Sequence, residues 1–253
     1  MAVRGSTRRE GEADLPLGTE KVVAVQSMFD TIAPRYDLVN RVMTFRMDVG
    51  WRRRAIAALG LRPGSFLVDL ACGTGDFCHE LADNGFRVLG VDRSHGMLAA
   101  APRPFPRVQA DALRLPLPDA SVDGATCGFA LRNFASLPPF FEELGRVVRP
   151  GGRIALLEVA EPPNRLLRAG HHVYFHKVVP RIGALLSDRE AYRYLPRSVA
   201  YLPEADELLD QLRGVGFAGV ERRLLSVGIA QLITATRDDR HDPAQRSLRT
   251  RSS

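Results

Sequence analysis

A glycine loop near the middle of the chain could bind an anionic group. The segment ACGTGD (71–76) places Gly73 and Gly75 directly after an apolar run and before a helical pattern. Glycine lets the backbone turn tightly and approach a ligand closely, and amides at the start of a helix can hold a carboxylate. A dinucleotide-binding GxGxxG motif would need a third glycine where Cys78 stands, so nicotinamide binding is disfavoured.

Two aspartates could complete a nucleoside site around this loop. Asp92 ends the second apolar run, 17 positions after Gly75, and an acidic side chain there can accept both hydroxyl hydrogens of a ribose. Asp111 ends the third run, where it can accept from an adenine amino group while Ala112 leaves space for the ring. Either aspartate alone could be a helix cap. Together with the loop, they predict S-adenosylmethionine as the cofactor.

These residues stand at the ends of apolar runs that predict a sheet. Five runs are continuously apolar, which is typical of parallel strands buried on both faces. Two further runs are joined only by SVG, so they predict a hairpin and an antiparallel edge strand. We therefore expect a doubly wound, mostly parallel, seven-stranded Rossmann-like α/β sheet, with its ligand at the carboxyl ends of the strands. The predicted strands are 66–70, 87–92, 107–111, 122–130, 151–160, 220–225 and 229–236.

The length and composition indicate one globular domain. The chain has 253 residues, of which 45% are hydrophobic and 25% charged. We predict a single domain at 19–237, with helical cap segments at 20–60 and 162–205. The polar ends, 1–18 and 238–253, are predicted to be disordered tails.

The charge and the cysteine content bear on the expected partners and on the cellular compartment. The net charge is +6, but the basic residues are nearly all arginine, so we attribute the charge to genome composition and expect no nucleic-acid partner. The three cysteines form no CxxC pair, which suits a reducing compartment. The charged N-terminal segment is unlike a secretory signal. We expect a cytoplasmic protein.

Several segments resemble the ubiquinone/menaquinone C-methyltransferases, a family of class I S-adenosylmethionine-dependent methyltransferases. The YDxxN, LRN and AYxYLxxS patterns single out this family among methyltransferases. The segments carrying the resemblance are MFDTIAPRYDLVN (28–40), DVGWRR (48–53), VDLACGTGD (68–76), GVDRSHGML (90–98), QADALRLPLPDASVD (109–123), GFALRNF (128–134), RVVRPGGRIALLEVAEP (146–162) and AYRYLPRSVAYLP (191–203).

The resemblance implies which residues contact the cofactor. It adds Thr74 to the aspartates and Ala112, and it places Gly128 where the family has a contacting serine. Met97 is predicted to pack under the adenine pocket. The complete predicted cofactor set is Asp69, Gly73, Thr74, Gly75, Asp92, Met97, Asp111, Ala112 and Gly128.

The resemblance also implies a prenylated quinol as acceptor, methylated at a ring carbon in the step from demethylmenaquinol to menaquinol. A ring carbon becomes nucleophilic when the neighbouring hydroxyl loses its proton, so the site needs a group that stabilises a phenolate. Arg132 and Asn133 follow the fourth strand and, together with Tyr36, are the predicted catalytic residues. Tyr36 and Asn40, on the preceding cap segment, are further predicted acceptor contacts. The alternative for Arg132 is a structural ion pair with a carboxylate such as Glu158.

Other functions stay open at this point. Gly128 and Ala130 depart from the family pattern, so a related methyltransferase for another phenolic, polyketide or lipid acceptor is the main alternative. An RNA methyltransferase and a non-catalytic binding protein are disfavoured. His172 and His176 share a helical face without a third ligand nearby, so no metal is expected. The sequence does not indicate an oligomeric state.

Residues 166–186 are predicted to form a lid over an isoprenoid tail. Their apolar side chains alternate with Arg168, Lys177 and Arg181, and Pro180 is expected to interrupt the helix. Cations beside apolar anchors suit an anionic lipid surface. We therefore expect peripheral contact with the inner face of the plasma membrane, with an ordinary packed helix pair as the alternative.

Overall fold

The computed structural model describes residues 17–186, 188, 191, 194 and 197–238. Most of both predicted tails lies outside this part of the chain. The strands are β1 (Phe66–Leu70), β2 (Arg87–Asp92), β3 (Arg107–Gln109), β4 (Val122–Gly128), β5 (Val148–Val159), β6 (Phe217–Leu225) and β7 (Ala230–Arg237). The helices are α1 (Gly18–Ile32), α2 (Tyr36–Met43), α3 (Met47–Leu59), α4 (Asp76–Asp83), α5 (His95–Ala99), α6 (Leu137–Val147), α7 (Arg165–Val173), α8 (Val179–Leu186) and α9 (Ala205–Gly214).

The seven strands form one sheet in the order β3-β2-β1-β4-β5-β7-β6. The first five strands pair in parallel, whereas β7 pairs antiparallel with both β5 and β6. The predicted doubly wound, mostly parallel sheet is therefore confirmed, with β6 paired antiparallel at the edge. Because the chain order reverses on either side of β1, the ends of β1, β2 and β4 meet at a switch point where a ligand can enter.

Both faces of the sheet are buried, as the continuous apolar runs predict. On one face, α6 and α9 pack with side chains such as Phe140 and Leu212, which are fully buried. On the other face, α3 and α4 contribute Trp51, Leu59 and Leu81. The predicted cap segment 20–60 therefore does not act as one unit, because α3 packs against the sheet as part of the flanking helical layer.

Two predicted strands are too long. The third strand ends at Gln109, and Asp111 lies beyond it in an isolated bridge with Arg114. The fourth strand ends at Gly128, and the LRN segment forms a 3-10 turn, Leu131–Asn133. The chain leaves the sheet there because Phe129 adopts a left-handed backbone conformation, with φ of 58°.

The predicted interruption at Pro180 is wrong. A π-turn, Tyr174–Val178, joins α7 to α8, and Pro180 lies inside the first turn of α8. Proline lacks a backbone N–H and would break regular α-helical bonding, but the wider π-turn directly before it lets the helical path continue. Among the described residues, no helix is both long and apolar enough to cross a bilayer.

Candidate active site

Eight of the nine predicted cofactor residues line one cavity, the first cavity, at the carboxyl ends of the strands. These residues are Asp69, Gly73, Thr74, Asp92, Met97, Asp111, Ala112 and Gly128. Gly75 does not line this cavity, but the fold of the glycine loop requires a glycine at its position. Its φ is +88°, and a Cβ there would collide with the ring of Phe105.

Asp92 organises the glycine loop. One carboxylate oxygen accepts from the Gly73 amide at 2.7 Å, and the other accepts from the Ser94 amide at 2.8 Å. Burial raises the pKa of Asp92, and the backbone amides oppose this effect. Each oxygen keeps a further lone pair, since a carboxylate has about four acceptor sites. The carboxylate can thus fix the loop and still accept from a ligand in the cavity.

The floor of the first cavity is tightly packed around Asp69. This side chain is 1% exposed and accepts from the Thr126 hydroxyl at 2.7 Å and from the Cys78 thiol at 3.4 Å. Burial raises the pKa of Asp69 to about 7. A Cβ at Gly73 would lie 3.0 Å from the Met97 methyl group, so a side chain at this position would fill space next to the loop.

Helices α1 and α2, largely within the predicted cap segment 20–60, form a roof whose two acidic contacts sequence reasoning missed. Asp30 accepts from the Ser94 hydroxyl at 2.5 Å and from the Gly96 amide at 2.8 Å. Asp37 accepts from the Thr74 hydroxyl at 2.6 Å. These contacts tie the roof to the loops that follow β1 and β2. The only signal in the sequence was the position of both acids within the segment 28–40.

A second cavity lies beside the first and is mainly apolar, with a volume of about 410 Å³. That volume falls within the usual range for ligand pockets. Its walls come from the α2–α3 region, the helices α7 and α8, and the β6–β7 turn. Tyr36, Asn40 and Phe129 line both cavities. They therefore mark the place where groups bound on the two sides would meet.

Arg132 and Asn133 face different cavities. Arg132 lines the second cavity, yet its guanidinium forms an ion pair with the buried Glu158 and donates to the Ser198 hydroxyl at 3.1 Å. The structural alternative for Arg132 is therefore realised, although its side chain still borders the cavity. Asn133 lines the first cavity and accepts from the Tyr194 hydroxyl at 3.4 Å. Burial raises the pKa of Tyr194 well above the usual range.

The structure thus has one cavity with several carboxylates at the strand ends and a mainly apolar cavity beside it. The sequence also matches the model of a known family. Residues 17–237 match the sequence model of the ubiE/COQ5 methyltransferase family. The chain belongs to this family. The match spans the whole sheet and both cavities, so the predicted S-adenosylmethionine-dependent methyltransferase is confirmed.

Curated relatives cover nearly the same length as this methyltransferase. A demethylmenaquinone methyltransferase from Deinococcus radiodurans is 44% identical over 83% of this chain and 91% of that protein. One from Mycolicibacterium paratuberculosis is 41% identical over 85% and 95%, respectively. A ubiquinone/menaquinone biosynthesis C-methyltransferase from Geotalea daltonii is 38% identical over 85% and 97%.

Solved structures share the fold of this methyltransferase. A SAM-dependent methyltransferase from Thermotoga maritima has a TM-score of 0.58 at 19% identity, covering 85% of this chain and all of that one. A phosphoethanolamine N-methyltransferase from Haemonchus contortus, in complex with S-adenosyl-L-methionine, has a TM-score of 0.57 at 13% identity, covering 75% and 53%. At these identities the likeness supports the Rossmann-like fold alone.

The remaining candidate groups serve structure in this methyltransferase. Ser94 caps α5 by accepting from the Met97 amide, and Ser198 accepts from the Arg132 guanidinium. The rings of His172 and His176 stack 4.1 Å apart. Within the described part of the chain, no group of three or more His, Cys, Asp or Glu residues could hold a metal ion.

Proposed function

We propose that this methyltransferase transfers the methyl group of S-adenosylmethionine to a ring carbon of a prenylated quinol, converting demethylmenaquinol to menaquinol. The observation that carries the proposal is the pair of cavities that meet at Tyr36, Asn40 and Phe129. A polar nucleoside and a water-insoluble quinol need two such environments side by side. The similarity to demethylmenaquinone methyltransferases supports this choice of acceptor.

The first cavity offers hydrogen-bond acceptors that suit the hydroxyl and amino groups of the cofactor. Asp92 offers carboxylate lone pairs for the ribose hydroxyls, and Asp111 stands beside Ala112 for the adenine amino group and ring. Gly73 and Thr74 line this cavity directly before α4, and backbone amides at the start of a helix can hold a carboxylate. When bound, S-adenosylmethionine supplies a methyl group on a positively charged sulfur, which is already activated for transfer.

The second cavity can align the acceptor and keep water away from it. Its apolar walls favour an aromatic ring and the start of a prenyl tail. Tyr36 and Asn40, at the junction, can hydrogen-bond a ring hydroxyl and fix the ring toward the first cavity. These residues act by orientation, because a nucleophile must lie in line with the methyl group.

We propose that Arg132 acts on the acceptor through its fixed charge. The pairing with Glu158 and Ser198 holds the guanidinium in one place at the cavity wall. A held cation lowers the free energy of a nearby phenolate without reorganisation during the reaction. Glu158 offsets part of this charge, so the expected contribution is a preorganised dipole rather than a free cation.

The α7–α8 wall is the part of the cavity suited to a tail. Leu167, His171, Tyr174 and Phe175 line it, and the Tyr174 hydroxyl donates to the Met43 carbonyl at 2.8 Å, which links α7–α8 to α2. We propose that this wall is the predicted lid and covers the first isoprene units. We further propose that the enzyme works in the cytoplasm at the inner face of the membrane, where a long-tailed quinol resides.

The acceptor is tested by mass spectrometry of quinones and lipids from cells that lack the gene. We expect menaquinone to be replaced by a species lighter by one methyl group, and we expect the gene to restore it. As a matched control, a gene carrying Asp92→Ala should fail to restore it. Unchanged quinones together with another lipid lighter by one methyl would overturn this acceptor and favour the alternative phenolic or lipid acceptor.

A further inference from the structure

Three exposed hydrophobic side chains surround the second cavity. Phe45 lies between α2 and α3, Leu166 in the first turn of α7, and Val227 between β6 and β7. Their exposed fractions are 69%, 82% and 67%, and all three line the second cavity. Scattered exposed hydrophobics are ordinary, but a group from three distant segments at one cavity marks an interaction surface. We call these three residues the apolar rim.

Two of the rim residues, Phe45 and Val227, have strained backbone conformations. Phe45 and Val227 have φ angles of 50° and 55°, and their neighbours Arg46 and Ser226 have 59° and 46°. This left-handed region is unfavourable for bulky side chains and most of all for a β-branched valine. Burial does not compensate for the strain, because both side chains are largely exposed. Strain at such positions points to a function for the side chains presented there.

Both turns are held firmly by hydrogen bonds. The Arg46 amide donates to the Arg41 carbonyl at 3.1 Å, and the Met47 amide donates to the Thr44 carbonyl at 2.9 Å. The Trp51 indole donates to the Ser226 hydroxyl at 2.8 Å, which fixes the β6–β7 turn against α3. The turns that carry Phe45 and Val227 are therefore fixed to the rest of the fold.

Most charges beside the rim are basic, although Glu161 is exposed next to the β6–β7 turn. The segment 41–46 contains Arg41 and Arg46 and no acidic residue, and 164–168 contains Arg165 and Arg168 and no acidic residue. All four arginines are exposed. Exposed hydrophobic side chains flanked by arginines match the interfacial region of a bilayer that contains anionic lipids.

We propose that Phe45, Leu166 and Val227 insert into the interfacial region of an anionic membrane, so that the second cavity opens toward the lipid. This inference rests on the proposed function for the identity of the acceptor, but membrane binding itself needs no turnover. A prenylated quinol would then enter the cavity without crossing water. The other occupant of such a surface, a second copy of the chain, is an outcome of the test.

The test is flotation of the full-length protein with vesicles of phosphatidylcholine, with and without phosphatidylglycerol. We expect binding that increases with the anionic fraction and weakens in salt. Val227→Asn and Phe45→Asn should each lower vesicle affinity about tenfold, the effect of removing one apolar anchor. The melting temperature of Val227→Asn should be unchanged or higher, because asparagine tolerates the left-handed conformation.

Val23→Asn is the matched control. Val23 is 62% exposed on α1, close to the 67% of Val227, and lines neither cavity. Its vesicle affinity should equal that of the wild-type protein. Equal affinity of all three variants, or no vesicle binding by the wild-type protein, would overturn the proposal. So would a wild-type dimer that Val227→Asn converts to a monomer. Vesicle binding as expected without methylation of a prenylated quinol would instead contradict the proposed function alone.

Discussion

The two cavities are held together by different forces. The first is held by hydrogen bonds to carboxylates: the buried Asp69, the half-buried Asp92 and Asp37, and the exposed Asp30 each accept from neighbouring groups. The second is mainly an apolar space between helices and a turn, and Arg132 is one of its few polar groups. A carboxylate such as Asp92 accepts two hydrogen bonds of about 1.5–3 kcal/mol each, whereas trimming one apolar side chain costs about 1.5–3 kcal/mol in all. Substitution of a carboxylate in the first cavity should therefore have a larger effect than substitution of one apolar side chain in the second.

The largest effect is expected for Asp92→Ala. This change removes the acceptor for two loop amides and for the proposed ribose hydroxyls. Each charged hydrogen bond contributes about 1.5–3 kcal/mol, so the affinity for S-adenosylmethionine should fall at least about a hundredfold. Isothermal titration measures this, and Asp92→Asn, which keeps one acceptor oxygen, should lose less. Unchanged affinity in a folded Asp92→Ala variant would contradict the assignment.

Arg132→Ala should lower turnover by about a hundredfold to a thousandfold, the usual cost of one preorganised electrostatic contact. Cofactor affinity should hardly change, because Arg132 lines the second cavity. The variant should also lose about 3–5 kcal/mol of unfolding free energy, because Glu158 stays buried without its partner.

The double variant Arg132→Ala with Glu158→Gln separates the two roles of the arginine. Neutral glutamine removes the uncompensated charge, so the melting temperature should recover in part while turnover stays low. If turnover recovers together with stability, Arg132 is only structural.

Asn40→Ala tests the junction between the cavities. Losing one orienting hydrogen bond should lower kcat about tenfold, with little effect on the affinity for S-adenosylmethionine. Asn40→Asp preserves the shape and an acceptor, and serves as the conservative comparison. An unchanged kcat in both variants would show that Asn40 does not orient the acceptor.

The same contrast explains what the sequence predicts. The first cavity is assembled from residues at strand ends and in a glycine loop, where local rules relate position to role, so eight predicted residues meet there. The parallel pairing of the first five strands follows from the continuous apolar runs, and the hairpin of the last two from the short SVG connection. The second cavity depends on contacts between segments far apart in the chain, such as Trp51 with Ser226, which no local pattern encodes.

The sequence predictions that were wrong or incomplete concern residues whose roles depend on distant contacts or on the local backbone path. The pairing of Arg132 with Glu158 connects residues 26 positions apart, on the turn after β4 and on β5. The sequence could offer that pairing only as an alternative. Pro180 signals a break by local rules, yet the π-turn before it carries the helix past. Asp30 and Asp37 bind the cofactor loops only because α1 and α2 fold over the sheet.

The smallest expected effect concerns Lys21, which anchors α1 beside the first cavity. Its ammonium donates to the Phe134 carbonyl at 2.7 Å, and burial lowers the pKa of Lys21 to about 8. An unfolded lysine titrates near 10.4. Between these two pH values the unfolded chain binds more protons, so the free energy of unfolding should rise with pH.

We expect a rise of about 1 kcal/mol from this group, reduced from the full linkage by the hydrogen bond and by solvent screening. Urea unfolding of the wild-type protein and of Lys21→Met between pH 8 and 10 measures the contribution of Lys21 to the free energy of unfolding. The other groups titrate equally in both proteins, so they cancel in the comparison. Parallel pH profiles for the two proteins would show that Lys21 stays charged in the folded state.

The most direct test of the two-cavity account is methylation of a series of demethylmenaquinols by the purified enzyme, from a tail-less ring to long prenyl tails. The account predicts a product methylated on the ring carbon, with kcat/KM rising with tail length. Phe175→Ser, in the α7–α8 wall, should flatten that rise without changing cofactor affinity. Equal kcat/KM for tail-less and prenylated acceptors in the wild-type enzyme would contradict the account.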